Sequence, residues 1–162
     1  MTDIRGYLDE LAGRLAADGC TVSTEAWGSD AVLVGHRGDF RLQWFATKLH
    51  LFTVAAPADV VTRTGIEAFT SAAWERMRGR TSLLGLQTGV AVLPTLVGTR
   101  VEPEAAAWAG AQQHHRFATF ARPVVVDTTA RTISAFTGTV TIGSIYSRHI
   151  LDKMHAYFPG VL

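Results

Sequence analysis

Leu83–Gly98, LLGLQTGVAVLPTLVG, is the stretch that decides what kind of molecule this is. It belongs to an uncharged run from Thr81 to Thr99, bounded by Arg80 and Arg100. Three readings compete: a membrane span, a phosphate-cradling glycine loop, and a buried strand. A spanning helix needs about 20 predominantly apolar residues. Only nine of the nineteen residues between the two arginines are apolar, no richer than the chain as a whole, and Pro94 interrupts them. Gly85, Gly89 and Gly98 lack the spacing of a dinucleotide fingerprint, and no Gly-Lys pair occurs anywhere, which removes the Walker loop. The stretch is therefore predicted as a buried strand from about Leu86 to Leu93. Leu86, Thr88, Val90 and Val92 share one face; Gln87, Gly89, Ala91 and Leu93 share the other. The strand is expected to break at Pro94, and TLVGTRV either continues it beyond a kink or pairs elsewhere. A glycine inside a strand marks close packing, so something is expected to approach the Gly89–Ala91 face.

Upstream, a helix is predicted from Thr64, with Thr64 and Glu67 at capping-box spacing and Gly79 at its end. Ile66, Phe69, Ala73 and Met77 form its buried stripe, flanked by Trp74. PADVVTR before it reads as a connector or an extra helical turn. Three strand candidates precede that: CTVSTEAW, AVLVGH and FRLQWFATKLHLFTVAA. Their connections, GSD and RGD, have turn chemistry and are too short for a parallel crossover, so the three form an antiparallel meander. Arg37-Gly38-Asp39 also spells an integrin-type triplet, but glycine and aspartate are what a tight hairpin needs. The first helix carries Ile4, Tyr7, Leu8, Leu11 and Leu15 at helical spacing, with Asp3 or Thr2 as cap and Gly19 as terminator.

Downstream, EPEAAAWAGAQQ reads as a short helix with Pro103 at its start. HRFATFARPVVVD and RTISAFTG form a second antiparallel pair joined by the Asp127 to Ala130 turn. A last helix starts near Ser144, with Tyr146, Ile150, Met154 and Tyr157 along one side. The order is α-βββ-α-β-α-ββ-α. Strands come in hairpin groups, so the class is α+β: one domain over residues 1–162, with helices on one face of a mostly antiparallel sheet.

The charged fraction is 18%, low for a domain of 162 residues. Few charges leave apolar surface uncovered, so self-association or a protein partner is expected. The net charge of +1 gives no basis for a nucleic-acid partner. The Arg76, Arg78 and Arg80 cluster ends a predicted helix, where cations complement the dipole. The opening MTDIRGYLDELAGRL lacks the basic start and continuous apolar core of a signal peptide, so the expected location is the cytoplasm. Cys20 is the only cysteine and sits just past a helix C-terminus, where the local field disfavours a thiolate.

No G-x-S-x-G elbow, zinc motif or cofactor motif is present. His149 and His155 are six apart, roughly 240° around a helix, so they cannot share a metal directly. The strongest polar cluster is His114, His115 and Arg116, followed by Arg122; with nearby aromatics it is able to bind an anion or carboxylate, or else it keeps an edge strand soluble. A second cluster has Trp44, Lys48, His50 and Phe52 on one strand face. A buried Lys48 would serve as a base or electrophile; otherwise it snorkels at the strand end.

Over about the first hundred residues, the predicted α-βββ-α-β order is similar to the small chaperone fold of type III secretion chaperones. The resemblance is one of element order and involves no residue motif. It implies a non-catalytic protein that dimerises through its sheet and a helix. Two functions follow. The first is a small cytoplasmic interaction or assembly module acting through an apolar surface, with Trp27 and Trp108 as the accessible tryptophans, binding itself or another protein. The second is a small enzyme or small-anion binder with a site assembled from Lys48, His50, His114, His115 and Arg116, extended by Arg122 and Asp127. Neither reading calls for a metal, cofactor or membrane.

Overall fold

The computed structural model of the chain describes residues 3–40, 48–81, 88–111, 121–138 and 144–161. The first helix, α1, spans Ile4–Ala17. Asp3 caps it, accepting from the Gly6 N–H at 2.7 Å, which satisfies an orphan donor of the first turn. Gly19 takes φ +84° just past its end, a conformation that costs glycine little. Leu11 and Leu15 are fully buried.

β1 (Thr21–Trp27) and β2 (Asp30–Phe40) form a hairpin, and β3 (Lys48–Pro57) pairs antiparallel with β2 as far as Phe40–Lys48. This moves the second expected turn. Arg37-Gly38-Asp39 is not a connection; it runs inside β2, paired with Leu51, His50 and Leu49. Residue type alone favours a turn there, but Arg37 and Asp39 are fixed on one face of the strand by a two-pronged ion pair. The triplet is therefore not displayed on a loop. The Arg41–Thr47 part of the predicted third strand lies outside the described residues.

β4 (Val60–Val61) precedes α2 (Arg63–Thr81). The cap of α2 is two residues earlier than expected: Thr62 Oγ1 accepts from the Gly65 N–H at 3.0 Å. Glu67 instead accepts from Arg63 Nε at 2.7 Å, and the helix runs on past Gly79. Ile66, Ala73 and Met77 are buried as the periodicity predicts.

β5 (Thr88–Gly98) is a central strand and does not break at Pro94. It lies parallel to β3 on one side and to β7 (Val124–Asp127) on the other. The register Val92–Ala121 and Thr95–Val124 sets Pro94 level with Pro123. Val92 accepts from the Arg122 N–H at 3.0 Å, so position 94 also turns its main chain toward that side. The missing proline donor thus falls between the isolated Val92–Ala121 bridge and the start of the regular β5–β7 ladder at Thr95, where the ladder is interrupted.

After β6 (Arg100–Val101), which pairs with β4 in a small parallel sheet, α3 spans Pro103–Gly110. β8 (Thr132–Ala135) completes the predicted hairpin with β7. Asp127 Oδ1 holds the turn, accepting from the Thr129 and Ala130 N–H groups at 3.0 and 2.7 Å. α4 spans Ser144–Tyr157.

The main sheet has the order β1-β2-β3-β5-β7-β8, with three of its five pairings antiparallel. The α+β class holds. The helices, however, cover both faces and not one. α1 and α4 pack on Leu49, Leu51, Ala91 and Leu93; α2 and α3 pack on Phe52, Val54, Val92 and Leu96. The reason is in the strands: β3 is buried without interruption from Leu49 to Ala56, and β5 from Ala91 to Gly98. Neither has a polar face to offer water. The close approach at Gly89 comes from Leu49 and from Tyr146 of α4, whose atoms would lie 3.2 and 3.4 Å from a Cβ there. Among the described residues no helix is long and apolar enough to cross a membrane.

Candidate functional site

Three places in the fold gather functional side chains. The first is the corner where β2 and β3 begin to pair. The register sets His36 opposite Phe52 and Gly38 opposite His50, all on the α2 face. His36 Nε2 lies 2.9 Å from His50 Nδ1. The ring centroids are 5.2 Å apart and the planes differ by 15°. That is the arrangement of two nearly coplanar rings meeting end to end, so one proton sits between them and the two lone pairs do not converge on a metal. His36 also stacks on Phe52 at 4.5 Å. Lys48 crosses directly over Gly38: a Cβ at Gly38 would fall 2.6 Å from Lys48 Cε and 3.5 Å from His50 Cε1. Burial pushes the pKa of both imidazoles down, and the Lys48 charge adds to this in each; His50 and Arg80 add to it for His36. Lys48 itself is exposed, which removes the buried-lysine chemistry and leaves the strand-end position.

The second is a charge network on the opposite face. Arg37 donates twice to Asp39, at 2.7 and 2.6 Å, and to Asp18 Oδ2 and the Asp18 carbonyl, each at 2.6 Å. Lys153 Nζ and the Tyr157 hydroxyl donate to Asp18 at 2.9 and 2.6 Å. His149 Nε2 lies 3.2 Å from Asp39 Oδ2. Asp18 occupies the C-cap of α1, where the helix dipole is unfavourable to a carboxylate. Burial also raises its pKa, yet the Tyr157, Lys153 and Arg37 donors outweigh this and hold it at about 2. Burial raises the Cys20 thiol, and Asp18 adds to this, in line with an unreactive cysteine. Every charge here is answered by another, and the result is a clamp joining α1, β2 and α4.

The remaining sequence candidates are dispersed. His114, His115 and Arg116 lie outside the described residues. Arg122 does not join Lys48 and His50; it sits beyond β5, where Nη1 donates to the Phe136 carbonyl at 3.1 Å and the guanidinium lies 5.2 Å from the Phe136 ring centre. It is 5% exposed, so it does not keep an edge soluble. Asp127 is spent on its turn and on the Val101 N–H. Trp27, expected to be accessible, is 9% exposed: Arg76 covers its ring at 4.7 Å and Phe69 packs at 5.8 Å. Trp108 is half-buried. His36 was not singled out from sequence; strand alternation through Gly38 would have placed it beside His50. Among the described residues no three His, Cys, Asp or Glu side chains are placed to hold a metal.

The third place is the sheet edge. β1 pairs only with β2 among the described residues, through an unbroken seven-residue register. Beside it, between α1 and the hairpin, lies a notch of about 560 Å³ lined by Leu8, Ala12, Val22 and Leu33, with exposed Arg5 and Asp9.

No protein-family model matches the chain, and no curated protein or solved structure matches it.

Function must then be argued from these three places. The clamp is internally satisfied. The histidine corner holds one shared proton and has no carboxylate hydrogen-bonded to either ring among the described residues. The β1 edge is different in kind, because among the described residues half of its main-chain donors and acceptors have no strand to bond to.

Proposed function

We propose that the chain is a small, cytoplasmic, non-enzymatic assembly module whose contact surface is the free edge of β1. The observation that carries this is the strand itself. Natural edges are blunted by lysine, proline, bulges or shortness. β1, TVSTEAW, has seven residues in regular register and neither lysine nor proline. Its one charge, Glu25, is taken up by Arg80 at 2.6 Å and by the Trp27 Nε1–H at 3.1 Å. The other edge among the described residues, β8, is short at four residues.

The contact differs from the apolar patch anticipated from composition. The large apolar side chains exposed among the described residues are Phe40 (56%) and Val60 (41%), which do not belong to β1. Main-chain hydrogen bonding supports the reading better than side-chain burial does. A second copy of the chain suits this edge. Antiparallel pairing of a strand with itself about a two-fold axis is self-complementary. In the proposed dimer an axis through Thr24, the middle of β1, brings both α1 helices to one side of the joined sheet, and we assign the exposed Arg5 of each, beside the notch, to Asp9 of the other.

Sedimentation analysis tests this. The chain is expected at twice its own mass, and Thr24→Lys, which sets two cations against each other on the axis, is expected to yield a folded monomer. Arg5→Asp or Asp9→Arg alone should weaken association by about tenfold or more, and the double exchange should restore it. A monomer at all concentrations, or a dimer indifferent to Thr24→Lys, would sink the proposal.

A further inference from the structure

Among the described residues, Arg122 is a buried side chain whose charge no carboxylate answers. It is 5% exposed. Nη1 donates to the Phe136 carbonyl, but Nη2 is buried and has no hydrogen-bond partner. All fourteen Asp and Glu residues lie within the described segments, and none forms an ion pair with Arg122. Burial alone acts on its ionisation, pushing its pKa down, with no carboxylate opposing. The contrast with Arg37 is instructive, since that guanidinium meets two carboxylates at 2.6 Å. A carbonyl and an aromatic face satisfy part of a guanidinium without neutralising it. A water molecule would satisfy the remaining donor, again without neutralising it. Buried charges are paired in native proteins because desolvating a lone ion is costly.

We propose that Arg122 is the counter-charge of an oxyanion site: a small carboxylate or phosphate group bound at the free Nη2 edge, between the start of β7 and Phe136. A guanidinium suits such groups because its planar N–H fork matches two oxygens at once. The position is fixed from both sides. The Arg122 N–H is anchored on Val92 of β5, and Nη1 is anchored on the carbonyl that follows β8. The guanidinium is thereby held in place, while Nη2 itself is enclosed, so binding requires neighbouring side chains to move aside. This site is independent of the β1 edge, four strands away across the sheet.

The test is thermal unfolding of the full chain in a buffer free of oxyanions, titrated separately with acetate, inorganic phosphate and chloride at constant ionic strength. The wild-type midpoint is expected to rise saturably with acetate or phosphate and not with chloride. Whichever oxyanion acts at lower concentration identifies the source. Arg122→Met removes the response; Arg122→Lys, which keeps the charge but loses the fork, retains a response weakened by about tenfold. If Arg122→Met fails to fold, the wild-type and Arg122→Lys titrations still decide. A midpoint indifferent to acetate and phosphate, or one that rises equally with chloride, overturns the proposal, as does an undiminished response in Arg122→Met.

Discussion

His36 and His50 meet end to end at 2.9 Å, with one proton for two facing nitrogens. A second proton at that junction would set two N–H groups against each other. Burial and the Lys48 charge lower the proton affinity of both rings below that of the unfolded chain. The unfolded chain therefore binds protons first as pH falls. The pair's contribution to stability is complete above the unfolded value of about 6.5 and is lost as pH drops through the lower folded values. Denaturant unfolding of the wild type should show this loss as pH falls below about 6.5. A His36→Gln, His50→Gln variant should show a smaller loss across that window; a loss of the same size would assign the protons elsewhere. At this scale the sequence was half legible. His50 and Lys48 stand on one strand and were seen together. His36 reaches them only because Arg37-Gly38-Asp39 continues β2, where Arg37 and Asp39 pair with each other and with Asp18 and His149 from α1 and α4.

Among the elements, α1, β2 and α4 are locked by Asp18. Tyr157 is buried, and its hydroxyl donates at 2.6 Å to a carboxylate that also serves Lys153 and Arg37. Tyr157→Phe removes a bond to a charged acceptor and should cost about 1–2 kcal/mol at neutral pH by denaturant unfolding. Asp18 is held at about 2, below its unfolded value, so its contribution is present above about pH 4 and is lost as pH falls toward 2. Acid unfolding of Tyr157→Phe should accordingly begin at higher pH than in the wild type. Unchanged stability and an unchanged acid midpoint would mean that the clamp is held by Arg37 and Lys153 alone.

The elements whose signals are local were readable: the Asp3 cap, the Asp127 turn, and the α4 stripe of Tyr146, Ile150, Met154 and Tyr157. Those set by partners were not. Pro94 reads as a strand breaker until Pro123 is seen beside it. Thr64 and Glu67 have capping-box spacing, yet Thr62 supplies the cap, accepting from the Gly65 N–H, and Arg63 takes the Glu67 carboxylate. Helices on two faces follow from continuous burial of β3 and β5, and an apolar run does not say how many layers cover it.

For the molecule as a whole, the sheet closes well at one end and stays open at the other. β8 is short and packs beside α3. β1 is long, regular and nearly free of charge, next to a notch that α1 leaves unfilled. Composition raises the expectation of association because charges are few, and the proposed contact assigns it to the β1 edge. In an antiparallel strand, successive amides face opposite edges. One alternate set of β1 amides bonds to β2 and the other points outward. Residue-resolved amide hydrogen exchange distinguishes the two sets. If β1 pairs with a second copy, the outward set is protected together with the inward set at high protein concentration. It loses protection on dilution or in Thr24→Lys, while the inward set keeps it. An outward set that exchanges freely at every concentration would contradict the account.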